Sequence, residues 1–114
     1  MVTPSHRIVV LDATIAIKWF FADEDFASEA DSILRAFQGG TLSLLAPDHL
    51  NYETINALRT GIRMKRTSFE DARSSLHDFL SLSVPTVPGA ELFASGFEVS
   101  LRYDCAFYDA LYLA

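Results

Sequence analysis

The sequence predicts an α/β domain built around a mainly parallel sheet, and three observations predict it. Ile8-Val9-Val10-Leu11 is an unbroken apolar run that meets a carboxylate, Asp12. A second short apolar run, Leu42 to Ala46, is stopped by Pro47. Around these runs, apolar residues recur at helical spacing, giving the order β-α-β-α-α-β-α-α. That order implies parallel strands joined by right-handed crossovers.

Each element has a local reason. Ile8 to Leu11 lacks polar alternation, as a strand buried on both faces of a parallel sheet does. Asp12 then has two readings. It is a site residue in the crevice at the carboxyl end of the strand, with the Thr14 hydroxyl two positions on, or it caps the helix that follows. Phe26, Ala30, Ile33, Leu34 and Phe37 form one helical stripe, ended by Gly39-Gly40. Asp23, Glu24, Asp25, Glu29 and Asp31 lie in or near its first turns, where they suit the helix dipole.

A second helix is expected from about Asp48 to Thr60, with Gly61 as a possible break. Leu50, Glu53 and Ala57 share one face of it, so Glu53 either reaches water at the edge of the stripe or points into a shared site. Arg59, Arg63, Lys65 and Arg66 cluster at its end, either pairing with the helix terminus or forming a small phosphate-contacting patch. Thr67-Ser68-Phe69-Glu70 has capping-box spacing and opens a third helix. Its expected buried stripe is Phe69, Ala72, Leu76, Phe79 and Leu80, with His77 on the surface. A short third strand is expected within Leu82 to Val87. A fourth helix from Gly89 carries Phe93, Phe97 and Leu101 at every fourth position, and an apolar helix begins around Asp109.

Composition narrows the function classes. At 114 residues the chain is a single domain, 1–114, and its 50% apolar and 21% charged fractions are those of a globular protein. A net charge of -6 argues against coating nucleic acid through charge alone and is compatible with a cation site or a basic partner. Cys105 is the only cysteine, which excludes an intramolecular disulfide and suits a cytoplasmic location. Met1 to Arg7 is polar, without the apolar core of a signal peptide, and no run approaches the length of a membrane span.

Three acids violate local patterning: Asp12 at the end of a strand, Glu53 on an apolar helical face, and Asp109 opening an apolar helix. Such violations are expected at functional sites. Carboxylates brought together need a cation, and hard divalent ions such as Mg²⁺ or Mn²⁺ suit oxygen ligands. There is no His/Cys cluster for zinc, no Gly-rich phosphate loop and no G-x-S-x-G elbow.

Three blocks, Ile8-Val9-Val10-Leu11-Asp12-Ala13-Thr14, Ala46-Pro47 through Tyr52-Glu53 to Asn56-Ala57-Leu58, and Tyr108-Asp109-Ala110-Leu111-Tyr112-Leu113-Ala114, together resemble the PIN domain. In style the chain is similar to the VapC-type toxins of bacterial toxin–antitoxin pairs. The resemblance implies a three-layer α/β/α fold and a metal-dependent endoribonuclease. Asp12, Glu53 and Asp109 would be the Mg²⁺ or Mn²⁺ ligands, and Thr14 the accompanying hydroxyl. It also implies RNA as substrate and a small antitoxin protein as partner. The family usually continues into a further strand with a T-x-D block. The chain shows no such block, so the fourth acid and the C-terminal strands are missing from the pattern. Ile8 to Leu11 is then expected to form an open apolar edge, favouring a homodimer or higher oligomer. An alternative is a catalytically impaired binding module that engages an antitoxin without cleaving RNA. A phosphatase of haloacid dehalogenase type fits poorly, because it needs a second Asp where Thr14 stands. A receiver domain lacks its paired acids and its later-strand lysine.

Overall fold

The computed structural model describes residues 7–114, and the N-terminal residues 1–6, read above for a leader, lie outside them. The elements are β1 (Arg7–Val10), α1 (Ala13–Lys18), α2 (Ala27–Gln38), β2 (Leu42–Pro47), α3 (His49–Arg63), α4 (Phe69–Leu82) and β3 (Thr86–Val87). A 3₁₀ turn (Gly89–Leu92), α5 (Phe93–Tyr103) and α6 (Phe107–Leu113) complete them. The strands form a parallel sheet in the order β1-β2-β3, with Val9 opposite Leu44 and Ala46 opposite Thr86. The α/β class and the parallel sheet are as expected. Two helices rather than one separate β1 from β2, because α1 closes after six residues and the chain must turn again before the stripe of α2 begins. Trp19 bridges that turn by donating its Nε1–H to the Ala30 carbonyl at 2.9 Å.

Side chains alternate across a strand, so Val9 and Leu11 share a face with Leu44 and Ala46. That face carries the main core, closed by Ala13, Ala16, Leu50 and Phe79, with Ile33 and Phe37 of α2 packed against it. Burying a leucine such as Leu11, Leu44 or Leu50 contributes roughly 2 kcal/mol. A smaller core joins Phe21, Leu58 and Ala72 between α1, α3 and α4. On the opposite face α6 lies against β2, where Leu111 and Leu45 line a common cavity with Val10.

The first strand departs from its expected burial. Ile8 is 69% exposed and Val10 52%, so the apolar run is buried on one face only. The reason is topological: β1 is an edge strand, and α6 reaches only the β2 side of the second face.

Other differences have similar causes. α3 continues through Gly61 to Arg63, because Gly61 is a contact point and not a break. A Cβ there would stand 2.6 Å from Cζ of Phe21. The cap of α4 is Ser68, whose hydroxyl accepts from the Asp71 amide at 3.0 Å, one residue later than the spacing suggested. Ala72 and Phe79 are buried as expected, but Phe69 and Leu80 are exposed. Phe93, Phe97 and Leu101 also face outward. The buried position of α5 is Gly96, where a Cβ would stand 2.9 Å from Cδ2 of Leu111.

Thr54 is 1% exposed, and among the described residues its hydroxyl has no hydrogen-bond partner. Leaving a buried hydroxyl unpaired costs about 1–3 kcal/mol. Thr54→Val keeps the shape and is therefore expected to stabilise the fold by about 1 kcal/mol in urea unfolding. In the same assay Leu44→Ala is expected to cost about 2–5 kcal/mol and Ile8→Thr less than about 0.5. An equal loss from Leu44→Ala and Ile8→Thr would contradict the one-sided burial of β1.

Candidate functional site

The site forms at the carboxyl ends of β1 and β2, where α6 lies against β2. The Leu11 amide donates to the Leu45 carbonyl at 2.8 Å, the last main-chain bond joining the two strands before the chain leaves the sheet. Asp12 comes next. Its backbone is extended and its carboxylate accepts from the Thr14 amide at 3.1 Å, capping α1. Of the two readings of Asp12, the cap is realised. It occupies Oδ1, on a residue that stays exposed at the carboxyl end of the strand. Thr14 engages Asp12 through its main chain, and its side chain is exposed in the first turn of α1.

Glu53 projects from α3 beside the buried line Leu50, Thr54, Leu58 and Gly61. Its side chain is 45% exposed, so it sits at the edge of the stripe. It also faces another element: the Tyr112 hydroxyl of α6 donates to Glu53 Oε1 at 3.1 Å. His49, one turn earlier on α3, places Nε2 3.0 Å from the same oxygen. The contact lacks hydrogen-bond alignment, and neither ring nitrogen of His49 completes a hydrogen bond among the described residues. The imidazole packs edge-to-face on Tyr112, ring centres 4.7 Å apart.

Tyr112 is thus the hub. Burial, then the charge and hydrogen bond of Glu53, push its phenol far above the ordinary value of 10.0. The charge of Asp12 acts in the same direction, and a hydrogen bond from the Ala13 backbone opposes it. One hydroxyl therefore feels both Asp12 and Glu53, which lie 41 residues apart in sequence. Asp109 is exposed in the first turn of α6, one turn before Tyr112. Asp104, by contrast, closes α5 in the left-handed conformation at φ 48°.

Among the described residues no three His, Cys, Asp or Glu side chains are close enough to form a metal cage. Mg²⁺, however, usually takes one or two carboxylates and fills its remaining positions with water and phosphate. Asp12 and Glu53, exposed hard oxygen donors whose charges both act on one phenol, fit that mode in kind. His49 and Tyr112 were not singled out as site residues from sequence. The signals were present: His49 and Glu53 stand at i, i+4, and Tyr112 follows Asp109 by three. The chain matches no family model, and no curated protein matches it.

The raised phenol fixes a pH dependence. A group whose folded value lies above its unfolded value stabilises the fold in full below the unfolded value. That stabilisation is lost as pH rises through the folded one. The contribution of Tyr112 is therefore complete below about pH 10 and declines in stronger alkali. An ultraviolet titration of the four tyrosines is expected to show one phenol ionising above the ordinary range. Tyr112→Phe should abolish that step, and Glu53→Gln should bring it down. A high step that survives Tyr112→Phe would reject the assignment.

Proposed function

We propose that this chain is a metal-dependent endoribonuclease of the PIN type, acting as the toxin of a type II toxin–antitoxin pair. The observation that carries the reading is the Tyr112 hydroxyl, which donates to Glu53 and feels the charge of Asp12 at the carboxyl end of β1. Open α/β sheets bind their ligands in that crevice. The toxin assignment rests on the resemblance of the three sequence blocks.

In this reading Asp12 and Glu53 would hold Mg²⁺ or Mn²⁺ and Thr14 would offer its hydroxyl to a phosphate oxygen, while Asp109, a third ligand by the resemblance, joins no three-acid cluster among the described residues. When bound, the ion supplies Lewis acidity and lowers the repulsion between carboxylates and phosphate. Tyr112 stays protonated and orients Glu53 by donating to one of its oxygens, while the cap from Thr14 orients Asp12. A second reading, a binding module that engages an antitoxin without cleaving, is favoured by one feature: Glu53 Oε1 already faces both His49 and Tyr112. Self-association is supported by the exposed β1 side chains Ile8 and Val10. Light scattering at low micromolar concentration tests it, and a lone monomer rejects it.

Asp12→Asn is expected to weaken Mn²⁺ binding in calorimetry and to abolish cleavage of single-stranded RNA by the purified protein. Asp109→Ala should weaken both at least tenfold, a loss of about 1.4 kcal/mol. Asp104→Asn, which keeps a side chain tolerant of the left-handed backbone, should change neither. Chelation should stop cleavage by the wild type. Unchanged Mn²⁺ affinity in Asp12→Asn would refute the site, and Mn²⁺ binding without cleavage would favour the binding module.

A further inference from the structure

The basic cluster at the end of α3 divides in an unexpected way. Arg66 turns back to the segment between α1 and α2, where its guanidinium reaches Asp23 at 3.1 Å and Glu24 at 3.2 Å. One face lies over the Phe21 ring, 4.4 Å from its centre. Lys18 approaches Glu24 at 3.8 Å, so two cations meet the two acids and the local charge is balanced. Arg66 keeps a third of its side chain exposed, and the residue lines a cleft of about 410 Å³ between α1 and α3. The opposite end of the cleft is Glu53. Asn56 and Thr60, both exposed, line it between the two ends. Glu53, Asn56 and Thr60 follow one another at i, i+3 and i+7, hence along one face of α3. Seven residues of helix span about 10 Å.

We propose that this cleft seats one nucleotide of a single-stranded RNA, with the Arg66 guanidinium as its stacking platform and Asn56 and Thr60 reading the base edge. The assignment rests on the nuclease reading, since it places that nucleotide beside the phosphate that a metal ion at Glu53 would hold. The chemistry fits an unpaired base. Planar guanidinium faces stack on splayed bases, and an amide and a hydroxyl offer both donors and acceptors to a base edge. Fixing the guanidinium between Phe21 and two carboxylates removes most of the ordering cost on binding. A duplex keeps its bases stacked and has no base to insert.

The test is fluorescence anisotropy with labelled dodecamers of A, C or U, all in the Asp12→Asn background so that binding is read without cleavage. Arg66→Lys keeps the charge but loses the plane, and should weaken binding about tenfold, within the range for losing one stacked base. Asn56→Ala should erase the preference among the three oligomers. Duplex RNA should bind weakly and be insensitive to both changes. Parent-like binding of every oligomer by both variants would overturn the proposal. Asn56 is exposed and unneeded for packing, so it keeps the test decisive if Arg66→Lys lowers the unfolding temperature. The two readings fail differently. Metal-dependent cleavage unaffected by Arg66→Lys and Asn56→Ala defeats the cleft and leaves the nuclease. RNA binding sensitive to both, without cleavage in any metal, defeats the nuclease and supports the cleft.

Discussion

The parallel pairing of β1 with β2 is the constraint on which the rest of the structure depends. Its register, Arg7 opposite Leu42 through Val10 opposite Leu45, ends with the Leu11 amide on the Leu45 carbonyl. Because side chains alternate, that register puts Leu11 and Leu44 together in the core and leaves Asp12 at the rim. A slip of one residue would put Val10 in the core and send Leu11 to the open face. The main chain of β2 then continues the pattern toward β3. The Ala46 amide donates to Pro85 and the Asp48 amide to Val87. Asp48 also accepts from the Gly89 amide at 3.1 Å, so a residue placed to cap α3 instead ties the 3₁₀ turn to the end of β2.

The site is the product of a second joint, the seating of α6. Ala110 and Leu111 bury the inner side of this short helix, and the absence of a side chain at Gly96 lets α5 approach it. That approach brings Tyr112 to Glu53 and within electrostatic reach of Asp12. A seven-residue helix is too short to be stable by itself, so the position of Tyr112 is inherited from packing. Desolvation then keeps the phenol protonated, so Glu53 gains a neutral donor in place of another charge.

Charge is sorted by tertiary contact rather than by sequence neighbourhood. The acidic run Asp23-Glu24-Asp25 reads as the start of a helix, yet α2 begins at Ala27 with only Glu29 in its first turn. Asp23 and Glu24 instead meet Arg66, more than forty residues away, over the ring of Phe21. Gly61 makes room for that ring. These exposed ion pairs contribute little to stability individually, and their consequence is to hold a planar cation in a fixed pose.

What the sequence determined by itself was the local part. The apolar runs Ile8 to Leu11 and Leu42 to Ala46 and the Gly39-Gly40 stop marked the first two strands and the end of α2, because these depend on short-range sterics and hydrogen bonding, whereas the separate helix α1 and the cap of α4 at Ser68 were not marked. Asp12 and Glu53 were legible as misfits for the same reason: a carboxylate on an apolar pattern is a local contradiction. The tertiary structure alone decided which faces were covered. Phe93, Phe97 and Leu101 have a core-like period and are exposed, while Gly96, which no hydrophobic pattern marks, is buried. It also decided that Tyr112 joins Glu53, that His49 packs against Tyr112, and that Arg66 reaches the segment between α1 and α2. Periodicity shows that a residue has a preferred side, but not which element lies opposite. That depends on sheet order and helix seating, which involve residues distant along the chain.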